Sequence, residues 1–141
     1  MLNIFFKKAT IFEDKLFGFK IYFPENKWKY RKANKNTFIF LKSHTNYALI
    51  LEIFNDQVYN YELLKVKVNN NFTQMTVGDY CAYVVCKKFE DQPILQYEWS
   101  FIDSNNRILF TYCILDNLKE TEKDNLYFEV LNILNTIKRV A

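Results

Sequence analysis

A chain of 141 residues, half of them hydrophobic and a quarter charged, has the composition of one globular domain spanning 1–141 and not of a disordered segment. Nineteen Lys and Arg against 16 Asp and Glu leave a net charge of +3, which lacks the dense basic balance of a nucleic-acid binder. Two glycines are too few for a glycine-rich phosphate loop, which needs several residues free to take positive φ.

The N-terminal "MLNIFFKKATIF" holds a short apolar run, then Lys7-Lys8 and Glu13-Asp14, without the long apolar core of a signal peptide. No stretch approaches the ~20 apolar residues of a membrane span. The three cysteines, Cys81, Cys86 and Cys113, show no CxxC spacing. The expectation is a cytoplasmic protein with reduced thiols, no membrane partner and no bound metal or cofactor.

Leu16–Phe23 predicts a strand with Phe17, Phe19, Ile21 and Phe23 on one face. Pro24 has no N–H for a ladder, and "PEN" is turn chemistry, so the strand ends there. Trp28 and Tyr30 then alternate with Lys27, Lys29 and Arg31 in a second short extended piece, followed by an "ANKN" loop. Thr37–Lys42 and Ala48–Phe54 predict a hairpin across a short polar turn.

Asn55 and Asp56 suit a helix N-cap, and Val58, Tyr61, Leu64, Lys65, Val68 and Phe72 recur at helical spacing, predicting a helix over 56–72. Tyr80–Phe89 reads as a strand, with a turn at Asp91-Gln92-Pro93. Ile94–Ile102 and Arg107–Leu115 predict a hairpin across "DSNN". Tyr127, Val130, Leu131, Leu134 and Ile137 share one helical face, predicting a closing helix over 120–139 whose Lys138-Arg139 would favour the C-terminal dipole.

Strands joined by short turns pair antiparallel. "ALILEIF" and "YCAYVVC" are apolar at both parities, which a sheet with one wet face would not favour. The predicted class is therefore α+β: an α/β/α sandwich around an antiparallel sheet of about six strands, with main helices at 56–72 and 120–139.

The candidates for chemistry are few. His44, the only histidine, lies in the turn "KSHTN" without Cys, Asp or Glu at ligand spacing, and reads as a surface residue. Cys81 and Cys86 are five apart, so one strand points them to opposite faces, and they read as buried small hydrophobes. None of the three serines sits in a GxSxG turn. The acids of "ETEKD" suit a helix N-terminus. Trp99, in phase with Leu95, Tyr97 and Phe101, reads as core.

That leaves Lys27 to Lys35, with five basic residues in nine positions. Lys27, Lys29, Tyr30, Arg31 and Lys32 are the candidate partner-binding residues, a basic and aromatic patch for an acidic partner. The competing reading is a solvated hairpin with aromatic residues inward and lysines outward.

A strand, Phe19, Ile21, Phe23, then Pro24 and Trp28, resembles the start of the PsbP-like superfamily. The later order also resembles it: a strand pair, a helix, three strands whose middle carries "YEWSF", and a closing helix ending "LNTIKRV". The resemblance covers about residues 15 to 140. It implies an α/β/α sandwich, Trp28 in the core, surface lysines around it, and no catalytic residues. The superfamily contains a photosystem II extrinsic protein, a Ran-binding protein, bacterial lipoproteins and small bacterial proteins. Without a leader or lipidation cysteine this chain is most similar to the last group, some of which look like immunity proteins. The implied function is a non-enzymatic protein that neutralises a secreted bacterial toxin by stoichiometric binding. The alternatives are a GTPase partner or assembly factor of the same fold, or a small enzyme with an unrecognised site.

Overall fold

Apolar strands separated by tight turns pair with their sequence neighbours, and that tendency builds most of the molecule. The computed structural model describes residues 6–15, 17–54, 72–103 and 106–140. Along them run β1 (Lys7–Lys8), β2 (Ile11–Asp14), β3 (Phe19–Tyr22), β4 (Trp28–Asn34), β5 (Thr37–Lys42), β6 (Ala48–Phe54), β7 (Thr73–Val77), β8 (Tyr80–Phe89), β9 (Gln92–Asp103), β10 (Asn106–Leu115), α1 (Glu120–Leu134) and β11 (Lys138–Arg139). An eight-stranded antiparallel sheet has the order β1-β4-β5-β6-β10-β9-β8-β7, and a three-stranded one the order β11-β3-β2.

The register sorts the large sheet into two faces. Trp28, Phe40, Leu49, Leu51, Phe110, Tyr112, Trp99, Phe101 and Ala82 fall on one of them through the cross-strand pairs, and all are buried. On this inner face lie α1 and the small sheet. Tyr127 of α1 sits 5.8 Å from Trp99 between ring centroids, and Phe12 of β2 packs edge-on to Phe38 and Phe40 at 4.8 and 5.2 Å. The opposite face is buried at Tyr83, Val85, Ser100 and Arg107, where the Arg107 guanidinium donates to Ser100 Oγ at 3.0 Å. Elsewhere on it Ile39, Leu41, Ile50 and Leu109 are half-buried.

The α+β class and the antiparallel sheet stand, but the expected count of about six strands and two main helices does not: there are eight strands and three, with one helix among the described residues. The extra strands β1, β2, β7 and β11 have five residues or fewer. Runs so short carry little periodicity, and their partners fix them. The helix expected over 56–72 lies outside the described residues except for Phe72, whose ring meets Tyr83 edge-on at 5.2 Å.

The closing helix ends at Leu134 rather than 139. Thr136 turns the chain: its hydroxyl donates to Ile133 O at 2.6 Å and accepts from Tyr22 N at 2.8 Å, capping the helix end and docking β3 together. Lys138 and Arg139 therefore pair with Lys20 and Phe19 of β3 instead of sitting on the helix dipole. The start agrees with the reading of "ETEKD", since Glu120 and Glu122 occupy the first turn.

Trp28 is 1% exposed and packs on Phe23 at 5.9 Å, and Trp99 is fully buried. Both are core. The cysteines correct the reading of buried hydrophobes: all three are free and exposed. Cys81 pairs opposite Thr76 and Cys86 opposite Tyr97, which puts them on opposite faces of β8 as the spacing requires. Each lies where its face is left uncovered, and sequence periodicity does not report coverage.

Candidate functional site

β4 reaches the side of the large sheet because its neighbour β1 is only two residues long. Lys7 stands opposite Tyr30, and Lys8 opposite Lys29. Alternation then divides the basic residues between the two faces. On the outer face Lys29 Nζ and the Arg31 guanidinium lie 5.0 and 5.9 Å from the centroid of the Phe6 ring. On the inner face Lys32 Nζ lies 5.6 Å from the Phe38 ring. Lys7, Tyr30, Arg31, Lys32 and Phe38 line a small cavity of about 190 Å³.

Five cations thus share one edge, and among the described residues none meets a carboxylate within ion-pair distance. Phe6 and Phe38 hold three of them by cation–π contact, which keeps the stems ordered while the charges face solvent. Tyr30 contributes differently. Its ring stacks on Phe40 at 5.4 Å and meets Phe12 edge-on at 5.7 Å, so the ring belongs to the core and supports the ledge.

The structure therefore gathers Lys29, Tyr30, Arg31 and Lys32, and it separates Lys27 from them. Lys27 sits in the turn before β4, lining a different groove of about 360 Å³ with Tyr22, Phe23, Pro24, Glu129, Asn132, Ile133 and Thr136. Asn26 in that turn takes φ 62°, a left-handed conformation that Asn tolerates, and the reversal points Lys27 away from the edge. No local pattern marks Lys7, Lys8 and Phe6 as site residues, because only the long-range pairing of β1 with β4 brings them in.

His44 stands exposed in its turn at φ 65°. It borders a cavity of about 440 Å³ with Thr45, Asn46, Tyr47, Ile94, Cys113, Ile114 and Leu115. A histidine beside a thiol raises the question of a nucleophile. Burial, with the negative charge of Glu98 adding to it, pushes the Cys113 thiol up, and its Sγ lies 3.6 Å from the Gln96 amide oxygen. A thiol held protonated is a poor attacking group. The described lining also holds no carboxylate to orient an imidazole, so the cavity supplies no activated pair. Among the described residues no cluster of three metal-ligating side chains occurs, and no helix is long and apolar enough to cross a membrane.

No family model matches the sequence, and no curated protein matches it. Solved structures do. The fold resembles that of cyanobacterial PsbP (CyanoP) from Synechocystis sp. PCC 6803, with a TM-score of 0.62 and 11% identity over 99% of this chain and 96% of that one. A protein from Bacteroides thetaiotaomicron VPI-5482 is similar at a TM-score of 0.68 and 12% identity over 94% of this chain, which spans 49% of that protein's length. The PsbP-like resemblance read from Phe19, Pro24 and Trp28 is thus a resemblance of fold.

Proposed function

We propose that this chain is a non-enzymatic binding protein that engages an acidic surface of a protein partner through Lys7, Lys8, Lys29, Arg31 and Lys32. The observation that carries the reading is the basic edge itself: cations with no acidic partner among the described residues, held in order by Phe6 and Phe38. Such an arrangement favours fast, electrostatically steered association with a protein of opposite charge. The specific form we propose is an immunity protein of the bacterial cytoplasm, blocking a secreted toxin one-to-one without cofactor, nucleic acid or membrane. Supporting that form are the resemblance to small bacterial proteins of PsbP-like type and a modest net charge that suits a neutral or acidic toxin surface.

The test is co-expression with the product of the adjacent gene. Protection of the host, and a one-to-one complex by light scattering, are expected. Lys29→Glu/Arg31→Glu/Lys32→Glu should slow association at least about tenfold at low salt, and Lys27→Glu should leave it unchanged. A toxic neighbour that is not neutralised overturns the immunity reading, and a complex indifferent to the triple change overturns the edge. If a housekeeping GTPase or an assembly intermediate binds the same edge instead, the protein is a partner module of that kind. An enzymatic role would centre on the cavity of His44 and Cys113, and would require an activity abolished by Cys113→Ser.

A further inference from the structure

The opposite end of the large sheet carries a groove of different character. Asp124, Tyr127 and Phe128 recur at i, i+3 and i+4 on α1, so they share one helix face. Thr73 and Met75 of β7, Val84 and Cys86 of β8, and Tyr97 of β9 occupy inner-face positions opposite them. Together these eight residues line a cavity of about 380 Å³. The rings are set at angles: Tyr97 and Tyr127 lie 4.8 Å apart and tilted by 53°, and Tyr127 and Phe128 5.3 Å apart at 77°. Trp99 stacks beneath both tyrosines, at 5.9 and 5.8 Å, and forms a rigid floor. Phe128 is 53% exposed, a large apolar surface that α1 presents beside the opening.

An apolar slot alone would accept any aliphatic group. Asp124 decides the sign. Among the described residues its carboxylate has no cationic partner, because the adjacent Lys123 is engaged by Asp116 at 3.0 Å and Glu120 at 3.2 Å. The charge of Lys88 reaches the groove at Cys86, where that of Asp116 opposes it. Burial, with the charge of Asp124 among the lesser causes, pushes the Tyr97 phenol up to about 12, so the ring stays neutral and electron-rich at physiological pH. Aromatic faces beside one carboxylate attract a cation: the rings bind its delocalised or alkylated body, and the carboxylate its charge.

We propose that this groove receives a single arginine or lysine side chain from an extended segment of a partner protein. The extended form follows from β7. Among the described residues it is the outermost strand at this end, and Thr73–Val77 carries neither the charge nor the proline that otherwise blocks pairing at a sheet edge. A segment added beside β7 would place every second side chain on the inner face, over Met75 and into the groove. Six strand steps separate β7 from β4, about 29 Å, so this site is distinct from the basic edge and takes the opposite charge.

The probe is a blocked pentapeptide with one central arginine flanked by threonines, compared with its citrulline counterpart, which keeps the shape and loses the charge. Binding is followed by NMR shifts of the aromatic rings. The arginine peptide should shift Tyr97, Tyr127 and Phe128 saturably, and the citrulline peptide should bind at least about tenfold more weakly. Asp124→Asn should cost roughly threefold to tenfold, and Phe128→Ala, at an exposed position, should weaken binding while the fold persists by circular dichroism. Equal binding of the two peptides, or shifts mapping elsewhere, overturns the proposal. Tighter binding of tetramethylammonium than of the arginine peptide would replace the protein segment by a small organic cation. Lys29→Glu/Arg31→Glu/Lys32→Glu should leave this titration unchanged, which keeps the outcome separate from the fate of the basic edge.

Discussion

The backbone of Gly78 lies against the carbonyl of Ile137 so closely that a Cβ at residue 78 would overlap its oxygen and its Cγ2. Gly78 and Asp79 form the two-residue turn between β7 and β8, with Gly78 at φ +56°, and Asp79 N donates to that same Ile137 oxygen at 3.2 Å. Asp79 Oδ2 in turn accepts from Arg139 N at 3.0 Å. One turn thus clamps the chain after α1 and sets up the β11–β3 pairing.

Gly78→Ala should therefore destabilise the fold by about 2–4 kcal/mol, combining a left-handed residue with a backbone collision. Gly18, also left-handed at φ +86°, would bring its Cβ no closer than 3.2 Å to Val140 O. Gly18→Ala should cost only about 1–2 kcal/mol. Urea melts of the two variants measure the difference, and equal losses would show that the close approach to Ile137 is not what requires glycine at 78.

Trp28→Ala should cost about 3–5 kcal/mol, because it opens a cavity under Phe23 and Phe40 in the most aromatic part of the core. Lys29→Glu/Arg31→Glu/Lys32→Glu should change stability by less than about 1 kcal/mol, since partly exposed charges with no ion pair among the described residues contribute little. The two melting curves separate core from surface within one strand. A large loss in the triple variant would mean that the cation–π contacts to Phe6 and Phe38 hold the edge together.

Stability should decline most steeply from about pH 10 upward, where an ordinary tyrosine ionises. Burial, the largest cause in each, raises Tyr97 to about 12 and raises Tyr112 and Tyr127 as well, at Tyr127 against the opposing hydrogen bond with Trp99. The unfolded chain then gives up protons that the folded chain keeps, so unfolding is favoured as pH rises, and the stabilisation from these phenols is intact below pH 10. Chemical denaturation at pH 7, 9 and 11 should show the steeper fall in the last interval, with a smaller one before it from Cys86 and Cys113, which burial raises in the same direction. Tyr97→Phe should make the last fall shallower. A flat profile to pH 11 would contradict the burial of these phenols.

All three thiols should react with a disulfide reagent under denaturing, non-reducing conditions, giving three equivalents per chain. In the folded protein at neutral pH, alkylation of Cys86 and Cys113 should be slower than that of a free thiol despite their exposure. Burial comes first among the causes that raise both, which keeps the thiolate scarce. Mass spectrometry of iodoacetamide adducts by site tests this, and faster labelling of Cys113 than of glutathione would restore a nucleophilic reading of the cavity it shares with His44.

Local pattern was enough for much of this molecule. The β9–β10 hairpin, with its ladder running from Asn106↔Asp103 to Leu115↔Ile94, follows from two alternating runs and one polar turn, because adjacent strands find each other with little loop entropy. The same holds for β5–β6, for β8, and for Trp28 and Trp99 as core, since their phase within a strand already says which face they occupy. The Gly78-Asp79 turn between Val77 and Tyr80 was also a legible hairpin signal, and it would have found β7.

What the sequence by itself determined, then, is the set of local elements: their type, their alternation and the turn chemistry between neighbours. Tertiary structure alone decided where those elements stop and what they meet. Thr136 ends α1 because Tyr22, 114 residues away in sequence, offers its backbone N–H. Lys7 and Lys8 join Lys29 and Arg31 because β1 pairs with β4, and Asp124 meets Tyr97 because α1 packs on the inner face beside β7, β8 and β9. Each of these is a contact between segments remote along the chain. Its free energy comes from packing and hydrogen bonds formed only after the sheets assemble, so no local window of residues carries it.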